Sequence, residues 1–119
     1  MANTFKTVTF AAEPASAGTA YKMYTCPSST TTVVLGLVLA NIHTTAVTAE
    51  VELVSDTANR GGANNVANGT SFLVKDVSIP TGSSLEILSG SKVVMEATDA
   101  LSLTATGSAD ITLSIMEIT

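Results

Sequence analysis

The sequence predicts an all-β fold, a single-domain antiparallel β-sandwich or jelly roll of about nine short strands with almost no helix. Three observations carry that expectation. Apolar and small polar residues alternate at a period of two, most cleanly in Leu101-Ser102-Leu103-Thr104-Ala105-Thr106 and Ile111-Thr112-Leu113-Ser114-Ile115. Such alternation puts one set of side chains on a buried sheet face and the other outside, which no helical period does. Clusters of Gly, Pro, Asn, Asp and Ser separate these runs at regular intervals, as they do between the strands of sandwiches and small barrels. The 19 Thr and 13 Ser supply hydroxyl residues for the solvent side of strands, where β-branched Thr is favourable.

Taken in order, residues 4–10 read as a first strand. The stretch 11–18, with Pro14, Ser16 and Gly18, reads as a loop, or with the first strand as an N-terminal arm over 1–18 that lies on a neighbour. Residues 20–25 form a short second strand that ends at Cys26-Pro27, because proline has no N–H to continue a ladder. A hydroxyl-rich turn over 27–31 follows. Residues 32–42 are apolar on both alternating sets, with Val33, Leu35, Leu37 and Leu39 on one face and Val34, Gly36, Val38, Ala40 and Ile42 on the other. A strand with two apolar faces belongs at the centre of a sandwich and is also covered outside, by loops of its own subunit or by a partner. Residues 47–55 read as its hairpin mate, with Val47, Ala49, Val51 and Leu53 inward and Thr48, Glu50 and Glu52 outward.

The segment 56–71 is rich in Gly and Asn with hardly an apolar anchor, and reads as a long surface loop. Residues 72–79 resume extended structure. Their phase slips near Lys75-Asp76, which indicates a bulge or an edge position. After a turn at Pro80-Thr81-Gly82-Ser83, strands are expected at 85–88 and 92–96 around Ser89-Gly90-Ser91, then at 101–106 and 111–118, joined by turns at Thr98-Asp99 and Gly107-Ser108-Ala109-Asp110.

The 119 residues suit one domain, whose folding buries roughly two-thirds of the unfolded surface. The chain is 45% apolar but only 13% charged, so some apolar sheet surface is expected to meet another subunit. A net charge of −5, with five Lys and Arg scattered at 6, 22, 60, 75 and 92, argues against a nucleic-acid surface. The lone Cys26 forms no internal disulfide, which favours an intracellular origin. No apolar leader follows Lys6. The apolar run 33–40 is far shorter than the roughly 20 residues that cross a bilayer, so no membrane partner is expected.

No catalytic constellation stands out, and neither an enzyme nor a cofactor is expected. His43 is the sole imidazole and has no local acid to orient it, so it reads as a turn residue. One His and one Cys do not close a tetrahedral metal site. Glu50 and Glu52 lie on one side of a strand, about 7 Å apart by strand geometry, and read as a solvated pair. Asp99 reads as a turn residue bonding its own backbone, and Cys26, with no basic residue nearer than Lys22, as a buried inert thiol. A carbohydrate-binding sandwich is the rival from another class. It is weakened by the absence of Trp and by only two Tyr, since sugar faces stack on aromatic rings.

An ordered series of segments runs from Tyr24-Thr25-Cys26-Pro27 and its Ser/Thr turn through 33–41. It continues with Ile79-Pro80-Thr81-Gly82-Ser83-Ser84-Leu85-Glu86-Ile87-Leu88 and Lys92-Val93-Val94-Met95-Glu96-Ala97-Thr98-Asp99, and ends with 111–118. In this series the chain resembles a family of small virion structural proteins of tailed bacteriophages. The resemblance spans most of the chain and implies a protein present in many copies. The implied role is capsid decoration, or cement: binding the major capsid protein as a homo-oligomer, with a trimer favoured, and stabilising the head of a virion assembled in the bacterial cytoplasm. The alternative within the structural class is a neck, tail or fibre-associated component. An acidic surface suits the outside of a DNA container. Contact residues are expected in two places: Phe5, Val8 and Phe10 on the first strand, which can add to a neighbour's sheet edge, and Asn59, Arg60, Asn64 and Asn65 in the long loop.

Overall fold

The computed structural model describes residues 2–55, 69–88 and 92–119. Among them are nine strands and no helix: β1 (Asn3–Glu13), β2 (Tyr21–Thr25), β3 (Thr31–Asn41), β4 (Val47–Ser55), β5 (Gly69–Ile79), β6 (Ser84–Ile87), β7 (Val93–Met95), β8 (Ala100–Ala105) and β9 (Ala109–Ile118). They make a β-sandwich of two antiparallel sheets. Sheet A has the order β1-β9-β3-β6, with β7 pairing β3 beside β6, and sheet B has the order β2-β8-β4-β5.

Period-two patterning builds the core as expected. On β9, Ile111, Leu113 and Ile115 are buried while Asp110 and Thr112 are exposed. On β8, Leu101 and Leu103 are buried, and on β4 Val47, Ala49 and Val51. Each fully buried Leu, Ile or Val contributes about 1.5–3 kcal/mol of transfer free energy. These side chains join Leu37, Leu39, Ile79 and Met95 in one cluster between the sheets.

Three expectations are corrected. β4 is not the hairpin mate of β3. β3 lies in sheet A between β9 and the β6/β7 pair, and β4 lies in sheet B between β8 and β5. Both strands carry an inward apolar face, and those faces cover one another across the core instead of the strands pairing edge to edge. The assignment of Val33, Leu35, Leu37 and Leu39 to one face of β3 also fails. The register against β9 slips between Val34 and Gly36, so Leu35 is an extra residue and the inward set is Thr32, Val34, Leu37, Leu39 and Asn41. A bulge consumes one residue and reverses the phase beyond it. Finally, the part of the 56–71 segment that is described belongs to a strand, since β5 starts at Gly69, which pairs with Ser55. Positions 56–68 lie outside the described residues.

The phase slip at Lys75-Asp76 corresponds to a bulge. Asp76 has φ of 53°, the register against β4 shifts around Val51, and β5 is the last strand of its sheet.

Candidate interaction surface

The two sheets end in strands of very different character. β2 has 5 residues with a register shift between Lys22 and Tyr24, β5 is bulged, and β6 and β7 have 4 and 3 residues. Short or bulged edges are how sheet proteins prevent unwanted strand addition. β1 has neither guard over most of its length. Residues 3–10 run in unbroken register against β9, and only then does the ladder shift, between Phe10 and Glu13. No described strand pairs the other side of β1.

The outer face of sheet A carries a cross-strand apolar row. Phe5 pairs with Met116, Met116 with Val33 and Val33 with Val94, so four side chains from four strands lie on one line. The ends of the row are open: Phe5 is 71% exposed and Val94 59%. One row further along, Gly36 lies beside Ser114, and Ser114 beside Thr7. A Cβ built on Gly36 would meet nothing within 4 Å.

On the inner side, β1 is held by a hydrogen-bonded chain that crosses both sheets. Lys6 Nζ lies 2.6 Å from Glu117 Oε1, and the Tyr24 hydroxyl donates to Glu117 Oε2 at 2.5 Å. The Tyr24 oxygen is 2.8 Å from Thr32 Oγ1. Because the phenol proton is committed to the carboxylate, Thr32 is the donor of that bond. Thr32 Oγ1 is 3.2 Å from Cys26 Sγ, and the thiol lies 3.3 Å from the Thr30 carbonyl, to which it donates. Thr32 and Glu117 are buried, and every buried polar side-chain atom among the described residues has a partner. The Lys6 ammonium first, and the Tyr24 hydroxyl second, hold the Glu117 carboxyl below its ordinary range. Burial first, and the bond to Glu117 second, push the Tyr24 phenol far above its ordinary range.

Of the residues expected to make contacts, Phe5 is exposed on the outer face. Val8 and Phe10 occupy the opposite, inward positions and pack half-buried against the core, where Phe10 meets Tyr21 edge to face at 5.3 Å. Their part is to seat β1. Asn59, Arg60, Asn64 and Asn65 lie outside the described residues. Sequence reasoning missed Met116, Val33 and Val94, whose alignment with Phe5 follows from strand register, and it missed the tie formed by Lys6, Tyr24, Thr32 and Glu117. A signal for that tie existed. Lys6 shares the inward phase of Val8 and Phe10, and Glu117 shares that of Ile111, Leu113 and Ile115 on β9.

The remaining candidates have structural partners. Glu50 pairs with Lys75 at 3.3 Å on the outer face of sheet B, and Lys75 also lies 4.4 Å from the centre of the Phe72 ring. Asp99 accepts from the Glu96 amide of its own turn at 3.0 Å. His43 follows β3, where its amide donates to Asn41 Oδ1 at 2.7 Å and its Nε2 lies 3.1 Å from Ser108 Oγ. Among the described residues no three His, Cys, Asp or Glu gather to hold a metal ion. Compared with known proteins, the chain matches no family model, no curated protein and no solved structure.

Proposed function

We propose that this chain is a structural protein that works by association, and specifically a capsid decoration protein of a tailed-phage virion that binds the major capsid protein and stabilises the head. One observation supports the associative part most directly: residues 3–10 of β1 form an edge in unbroken register with β9 whose outer side pairs with no described strand. An edge of this kind takes up an extended partner segment through main-chain hydrogen bonds. Repeated over many copies on one shell, individually weak contacts add up to tight attachment. The virion part of the reading comes from the resemblance of the strand-and-turn series.

The test is to mix the purified protein with capsids that lack it, then measure co-sedimentation and the temperature at which packaged DNA is released. Saturable binding with a higher release temperature is expected. Binding confined to tails would move the protein to the neck or tail, and binding confined to glycans would make it a carbohydrate-binding module. Either result overturns the decoration role.

A further inference from the structure

We infer that the open edge of β1 is a self-interface: β1 of a second copy pairs with it antiparallel about a two-fold axis through Thr7, joining the two A sheets into one. The inference rests on the associative reading above and names the partner of that edge.

Backbone geometry limits the register. Ala2 and Thr119 exchange both of their main-chain hydrogen bonds, at 3.2 and 3.0 Å, and such reciprocal pairs alternate along an antiparallel ladder. In the unbroken register of residues 3–10 with β9, Thr4, Lys6, Val8 and Phe10 therefore bond to β9. Asn3, Phe5, Thr7 and Thr9 turn their N–H and C=O groups out of the sheet, where no described strand pairs. A second copy joins only where its own outward-bonding residues meet these, so the axis passes through a residue and not between two. An axis at Lys6 engages residues 3–9 of each copy and one at Thr7 engages 4–10; any other engages fewer.

Side chains choose between the two. The axis at Lys6 sets one ammonium directly opposite another, which is unfavourable. The axis at Thr7 sets Lys6 of each copy opposite Val8 of the other. It also pairs Thr7 with Thr7, Phe5 with Thr9 and Thr4 with Phe10, and hydroxyl pairs and aromatic–β-branched pairs are the favourable cross-strand combinations. Residues 4–10, Thr-Phe-Lys-Thr-Val-Thr-Phe, are thus complementary to themselves, which selects a second copy over an unrelated segment. Charge permits the approach. In a chain of net charge −5, residues 2–12 contain no acid and one base, Lys6, which is drawn to Glu117, so the copies meet where acids are sparse. The added strand also covers the flanks of half-buried Val8 and Phe10 and of exposed Phe5.

Sedimentation equilibrium of the full chain up to roughly 1 mM tests the inference, with circular dichroism to confirm that each variant is folded. A dimer is expected. Thr7→Glu and Thr7→Lys, each of which sets like charges opposite one another at the axis, should weaken it by at least about tenfold, and an equal mixture of the two variants should form a heterodimer. Residue-resolved amide exchange should slow at Phe5, Thr7 and Thr9 as the dimer forms. A monomer throughout, a trimer, a dimer indifferent to both substitutions, or one that leaves those three amides unprotected would overturn the inference. Capsid binding by a chain that stays monomeric would overturn this inference while leaving the decoration role standing; a dimer of the expected sensitivity that ignores capsids would support it and overturn that role.

Discussion

The two ends of the sandwich are closed by different chemistry. Where β3 begins and β9 finishes, Lys6, Tyr24, Thr32 and Glu117 join the sheets through a buried carboxylate and its cation. Where β3 finishes and β9 begins, the closing group is a neutral amide. Asn41 Nδ2 donates to the carbonyls of Thr45 at 2.9 Å and Ile79 at 2.8 Å, and Asn41 Oδ1 accepts from the His43 amide. Both ends satisfy buried polar groups, but only at the first is the buried group itself a carboxylate. The first is also the end that anchors the regular part of β1, so the strand proposed to make contacts is held by the bond most sensitive to its surroundings.

The largest effect is expected from Asn41→Ala. It removes three hydrogen bonds at a buried site, one of them to the carbonyl of buried Ile79, for a loss of about 3 kcal/mol. Because every group in those three bonds is neutral, the difference from the parent protein should be the same at pH 5 and pH 8 in urea denaturation. A difference that varies over that range would tie the Asn41 bonds to the ionisable side chains at the same end, His43 and Asp110, and erase the contrast.

Glu117→Gln comes next, with an expected loss of about 2 kcal/mol at neutral pH. A carboxyl whose folded pKa is depressed stabilises the fold above its unfolded value, near 4.5, and that contribution disappears as pH falls through the lower folded value. Parent and variant should therefore converge in stability as the pH is taken from 7 down to 3. Amide hydrogen exchange sharpens the test: at neutral pH the variant should exchange faster in β1 than in β8. Uniform acceleration would show that the tie supports the whole fold and not β1 in particular.

The strands were legible because alternation is a local property: 47–55 reads directly as β4. Sheet membership was not, because β3 and β4 are adjacent in sequence yet lie in opposite sheets, and an inward apolar face is equally satisfied by pairing beside a strand or packing across from it. The bulge at Leu35 was hidden because every residue near it is apolar, so a reversal of phase leaves the pattern unchanged. At Lys75-Asp76 the polar residues made the same kind of slip visible. The tie and the Phe5–Val94 row join residues from distant parts of the chain, and only strand register brings them together.

The smallest effect concerns the neutral end. A Cβ on Gly107 would lie 3.0 Å from two atoms of the His43 ring and 3.2 Å from Val47 Cγ2. Val47 is buried and has little room to move, whereas His43 is exposed and can swing out, giving up its approach to Ser108. Gly107→Ala should therefore cost about 1 kcal/mol. If the ring takes the strain, Gly107→Ala should cost less in a His43→Ala background, with a coupling of about 0.5 kcal/mol in the double-mutant cycle. Strict additivity would instead assign the cost to Val47, and would mean that the neutral end is held by core packing as much as by the Asn41 amide.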